Sequence, residues 1–71
     1  MKRRYYYENK NLRVWLNTEL DEKEADMLKE FLDENEIEYE ASECYDLIHI
    51  EINVNEYERQ AVEEWMEENI Y

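Results

Sequence analysis

The chain contains neither glycine nor proline. Without glycine, every tight turn and helix end must use a residue with a side chain, and Asn, Asp and Ser are the ones suited to it. The absence also excludes an EF-hand calcium loop, which needs glycine at its sharp turn. A single cysteine, Cys44, excludes an internal disulfide and fits a reducing cytosol, so a cytoplasmic location is expected. No apolar run approaches the roughly 18 residues of a membrane span. Residues 1–11, MKRRYYYENKN, carry the charge of a signal-peptide n-region but lack the apolar stretch that follows one, and read as part of the fold. Basic residues are scarce: 8 stand against 21 acidic ones, for a formal charge of −13. Phosphate contacts need clustered Lys and Arg, so direct nucleic-acid binding is excluded. The charge points instead to a basic partner, or to solubility alone.

At 71 residues the chain makes one domain, 1–71, near the size at which a single core is barely sufficient. Hydrophobic residues make up 44%, enough for that core in spite of the charge. Residues 46–54, DLIHIEINV, are the centre of the pattern. Ile48, Ile50, Ile52 and Val54 recur at every second position, which puts four β-branched side chains on one face of a strand.

The flanking segments supply its partners. Residues 2–8 and 12–17 are strand candidates, with Leu12, Val14 and Leu16 on one face of the second and Arg13, Trp15 and Asn17 on the other. A two-residue turn at Lys10-Asn11 would pair Tyr7 with Val14 and Tyr5 with Leu16 on the core side, and Tyr6 with Trp15 on the open side. A three-residue turn would reverse the faces of the first strand. Residues 21–35 read as a helix with the apolar stripe Ala25, Leu28, Phe31 and Leu32, Met27 lying at its margin. Thr18–Asp21 and Asp21–Glu24 both have capping-box spacing, and Asn35 is the expected left-handed residue at its end. Ile37, Tyr39 and Ala41 alternate with Glu38, Glu40 and Ser42, a third strand with an acidic outer face. A turn over 43–46 leads into the central strand. Asn55 caps a second helix whose expected buried arc is Tyr57, Ala61, Val62, Trp65, Met66 and Ile70.

The order ββαββα, with right-handed crossings, places both helices on one face of the sheet. The fold class is therefore α+β, a two-layer sandwich with four strands in the spatial order 1-2-4-3. Its middle part matches the first five elements of the ferredoxin-like plan, and the N-terminal strand takes the place of the missing last one. Residues 24–40, EADMLKEFLDENEIEYE, resemble the helix-to-strand passage of small prokaryotic signal-transducing domains with a ferredoxin-like core. The resemblance implies the same fold.

Chemistry is harder to find. His49 and Cys44 are the candidates for nucleophilic catalysis, but they have no third orienting group and no recognisable elbow. A surface-strand histidine and a turn cysteine are the plainer reading. Carboxylates abound, yet no pattern sets two apart in an apolar pocket. No enzyme activity, metal or cofactor is expected.

Two surfaces are candidates for partner binding. The open sheet face should carry Tyr6, Arg13, Trp15, Leu47 and His49, with Arg4 beside them. Aromatics on such a face resemble the platforms of RNA-recognition modules, but the glycine-aromatic signature is missing and the charge opposes it. A protein interface, through which the chain would form a homodimer, suits it better. The second surface is acidic. Residues 1–13 sum to +4 and the remainder to −17. Glu22, Asp26, Glu30 and Asp33 make an outward row on the first helix; Glu63, Glu64, Glu67 and Glu68 make one on the second. A solvated helix face is the plain reading of such rows. However, acids in the last turns oppose the helix dipole at about 0.3–1 kcal/mol each. Like-charged i,i+4 pairs such as Asp26–Glu30 and Glu64–Glu68 cost roughly 0.2–0.5 kcal/mol more. Solubility requires a charge of only about 2–8 in a small domain.

In size, acidity and lack of an active site, the chain resembles phage-encoded inhibitors of host nucleic-acid machinery, of the anti-CRISPR and anti-restriction type. That resemblance implies a non-enzymatic DNA mimic acting in the host cytoplasm on a basic nucleic-acid-binding protein, such as a CRISPR effector or restriction enzyme. The second reading is a small regulatory or protein-interaction module, homodimeric through the open sheet face.

Overall fold

The structure, a computed structural model, describes residues 5–71. Its elements are β1 (Tyr5–Lys10), β2 (Arg13–Leu20), α1 (Glu22–Glu34), β3 (Tyr39–Cys44), β4 (Leu47–Asn53) and α2 (Glu56–Asn69). The strands form one antiparallel sheet in the order β1-β2-β4-β3, the expected α+β sandwich with β1 in the place of the last ferredoxin-like strand. The expected start of the first strand, at residues 2–4, lies outside the described residues, as does Arg4.

Alternation builds the core. Leu16, Thr18 and Leu20 of β2 pair with Ile52, Ile50 and Ile48 of β4, so the two inner strands present one face together. Ala25, Leu28 and Leu32 of α1 and Val62 and Met66 of α2 close over it, and all are fully buried with Leu16, Leu20, Ile50 and Ile52. Both helices therefore cover the same side. Tyr71 completes the seal: its ring stacks on Tyr5 at 6.0 Å, and its hydroxyl lies 2.7 Å from Thr18 Oγ1.

Glycine-free turns place four side-chain-bearing residues at positive φ: Asn11, Leu12, Glu36 and Tyr45. The first hairpin turns at Asn11-Leu12, one position later than expected, and both residues take the type I′ geometry. Tyr7 consequently faces Leu16 and Glu8 faces Trp15, a slip of two residues that keeps the paired side chains of the two strands on their expected faces. Leu12, expected on the core side, is fully exposed at the turn, and Val14 is partly exposed beside it.

β2 also runs three residues further than expected. Asn17, expected as the last residue of the strand, and Thr18, expected as a candidate cap, are buried within it. Neighbours on both sides satisfy its main chain, which overrides their turn preference.

Asp21 caps α1 with a full capping box: its carboxylate accepts from the Glu24 amide at 2.7 Å, and its own amide donates to Glu24 Oε1. Asn35 is not the left-handed residue. Glu36 is, at φ 54, and its amide donates to the Asp33 carbonyl while that of Ile37 donates to Leu32. Those two bonds are a Schellman ending, with Ile37 buried. Asn35 instead turns its side-chain amide back to the Phe31 carbonyl, and Asn69 does the same to Trp65, each at 2.8 Å.

Two further positions differ from expectation. On α2 the buried line runs through Val62 and Met66, so Tyr57 and Ala61 point to solvent more than a quarter-turn away. Ala41 is exposed because β3 is an edge strand that α1 does not cover at that point.

Truncation of Ile50 to Ala should cost about 2–5 kcal/mol, as for other fully buried aliphatics, while substitution of its half-buried outward neighbour Glu51 should cost far less; urea unfolding of both variants checks this. Glu36→Gly should raise stability by about 1 kcal/mol, because glycine relieves the left-handed strain without disturbing the two main-chain bonds.

Candidate protein-interaction site

The open sheet face is not an aromatic platform. Trp15 lies on the side away from the helices, as the alternation requires, but only 6% of it is exposed. Its indole N–H donates to the Lys10 carbonyl at 3.2 Å, and the Lys10 ammonium stands 6.0 Å from the ring centroid. Around it runs a polar chain. Asn17 donates its side-chain amide to the Trp15 carbonyl, and its Oδ1 accepts from His49 Nε2 at 3.0 Å. Lys10 Nζ lies 3.6 Å from Glu51 Oε2, which is buried without a hydrogen bond. This network holds β1, β2 and β4 in register on the uncovered side and was not foreseen in the sequence. It absorbs His49 into a structural role. Cys44 is exposed and pairs in register with Leu47, while His49 pairs with Ser42. Tyr6 and Arg13 are exposed, Leu47 is so only marginally, and Arg13 faces Glu38 at 3.7 Å. The burial of Trp15 thus removes the anchor from the expected open-face interface.

The acidic rows are largely where they were expected. Glu22, Asp26, Glu30 and Asp33 on α1 and Glu64, Glu67 and Glu68 on α2 are all exposed, and among the described residues none of them is in an ion pair. Glu63 departs from its row. It is half-buried at the seam between α2 and β1, where its Oε2 accepts a hydrogen bond from the Tyr5 hydroxyl at 3.2 Å. The helical period carries position 63 towards Val62 and Met66 rather than outwards.

Glu63 also acts on Tyr7, whose hydroxyl is held well above the ordinary phenol range. Burial is the first cause and the Glu63 carboxylate the next, opposed by the Arg59 guanidinium, 5.6 Å from the ring centroid. Tyr39 is raised in the same direction by burial and by Asp33.

Charge density on the helical layer is high. Each helix carries six carboxylates, and Lys23, Lys29 and Arg59 are the cations set against those twelve, for a net nine negative charges. At about 1.5 Å per residue each helix is about 20 Å long, so the pair carries about one net charge per 2.2 Å, against about one per 1.7 Å in duplex DNA. Neither helix has a basic residue in its last turn. The helices meet through Phe31 and Trp65, whose rings stack at 4.8 Å and 17°.

Among the described residues no helix is long and apolar enough to cross a membrane, and no three His, Cys, Asp or Glu side chains converge as a metal site would require. Compared with protein-family models, curated proteins and solved structures, the chain matches none.

The raised Tyr7 makes alkaline behaviour a test of the α2–β1 seam. Its folded value lies above its unfolded one, so its contribution to stability is complete below about pH 10 and is lost as the pH rises towards the folded value. Ultraviolet titration of phenolate should show a late-ionising group that Tyr7→Phe removes, and Glu63→Gln should move that group to lower pH.

Proposed function

We propose that the chain is a non-enzymatic binding inhibitor, an acidic domain whose helical layer takes the place of nucleic acid on a basic nucleic-acid-binding protein. A phage-encoded inhibitor of the anti-CRISPR or anti-restriction type, acting on a CRISPR effector or a restriction enzyme, is the form of this reading that size and composition favour. The observation that carries it is the density of unneutralised carboxylate on one two-helix layer, close to that of a duplex. Solubility does not require so much, and the fold bears a cost for it. Asp26–Glu30, Glu30–Glu34 and Glu64–Glu68 are like-charged i,i+4 pairs at roughly 0.2–0.5 kcal/mol each. Charge kept against stability is the mark of a working surface, since a basic groove selects for carboxylates that folding alone disfavours.

The alternative, a regulatory module that dimerises through the open sheet face, has less behind it, because its aromatic centre is covered.

One triple variant separates mimicry from solubility. Glu64→Gln, Glu67→Gln and Glu68→Gln remove three exposed charges, keep helix propensity and leave the Glu63–Tyr5 bond alone. Folding stability should stay level or rise slightly, with relief of the Glu64–Glu68 repulsion and of the unfavourable last turn. Retention of basic nucleic-acid-binding proteins from a bacterial lysate on the immobilised chain should fall, and elution by duplex DNA should need less competitor. Retention that is equal for the two forms, or that duplex DNA does not reverse, contradicts the reading.

A further inference from the structure

The acidic layer is not uniform: an aromatic depression lies at the helix seam. Met27, Glu30, Phe31 and Glu34 follow the i, i+3, i+4, i+7 spacing that lines one edge of α1, and Trp65 of α2 faces them across a groove. The floor is apolar: Phe31 and Trp65 are half-buried and stacked, and Met27 is 37% exposed at one end. The rim is anionic, because Glu30 and Glu34 are both exposed and neither is neutralised among the described residues. The Asn35 and Asn69 side chains take up the Phe31 and Trp65 carbonyls, so the backbone at both aromatics is already satisfied.

We infer that this seam is the docking point for an arginine side chain of a basic protein partner, its guanidinium held by Glu30 and Glu34 against the exposed parts of the Phe31–Trp65 stack. Charge complementarity selects a cation, and the aromatic floor selects which one. A guanidinium is planar and weakly hydrated, stacks on aromatic faces and offers a fork of donors to carboxylates; an ammonium is a compact, strongly hydrated point charge. Met27 would cover the aliphatic stem of the incoming side chain. The seam thus supplies the short-range anchor, while the surrounding rows of carboxylate steer the approach. This rests on the reading that the helical layer is the binding surface, and it adds where on that layer the contact is made and by what residue.

Hexa-arginine and hexa-lysine peptides test it on the intact chain, with the two indole N–H signals followed by nuclear magnetic resonance. Trp65 reports the groove, and buried Trp15 is an internal control on the opposite face of the sheet. Hexa-arginine should shift the Trp65 signal and leave Trp15 in place, and it should bind at least threefold tighter than hexa-lysine. The pair Glu30→Gln and Glu34→Gln should weaken hexa-arginine at least fivefold more than the charge-matched pair Glu40→Gln and Glu43→Gln on β3. Salt-sensitive binding with no preference for arginine, the β3 pair still giving the smaller loss, overturns the seam but leaves the acidic layer as the binding surface. Equal losses in the two double variants overturn the seam and the layer together. Binding that is absent, or indifferent to salt and to both pairs, does the same.

Discussion

The pairing of β2 with β4 is the interaction on which the rest of the molecule depends. These inner strands place Leu16, Leu20, Ile50 and Ile52 on one face with no exposure at all, and both helices are held by that face. A chain of 71 residues has apolar surface for one such layer and little more. Both inner strands must therefore satisfy their other side with polar groups, and they do so through the Trp15–Asn17–His49 chain and the Lys10–Glu51 pair. The abundant acids are left to the helices' outer faces and the edge strand β3. The segregation of most of the net negative charge onto the helical layer follows from how few other places the core leaves for it.

That segregation works against the helices, and the structure shows where the strain is eased. Acids crowd the last turns without a basic residue to offset the dipole. The side-chain amides of Asn35 and Asn69 supply the donors that lysine or arginine would usually bring there. They satisfy carbonyls without neutralising the surface. The same economy appears at the turns, where Leu12, Glu36 and Tyr45 adopt a geometry that glycine takes more easily.

Much of the fold was legible in the sequence because period-two and period-3.6 patterns report which face is buried, and burial decides the layers. Ile48 to Val54 and the α1 stripe are strong instances. Register was less legible: a hairpin slipped by two residues keeps every face, so the pattern is blind to whether the turn falls at Lys10-Asn11 or Asn11-Leu12. Trp15 misled because alternation tells the face and not the cover, which here comes from the neighbouring strand's Lys10. Tertiary contacts account for the remainder. Tyr71 against Tyr5, Glu63 against Tyr5, and Phe31 against Trp65 join residues distant in the chain, and no local spacing announces them. Seven of the eight acids read as a partner surface are exposed as expected, yet the seam between the two rows emerges only when the helices are set side by side.

The central claim is that the chain and a duplex compete for one basic surface. Its most direct test is sedimentation of a nucleic-acid-binding protein retained by the chain, with fluorescent duplex DNA and the labelled chain followed at separate wavelengths. Mimicry predicts mutually exclusive complexes, each displaced as the other is added, with both affinities falling steeply as salt rises. A ternary complex of protein, duplex and chain at saturating concentrations would contradict it.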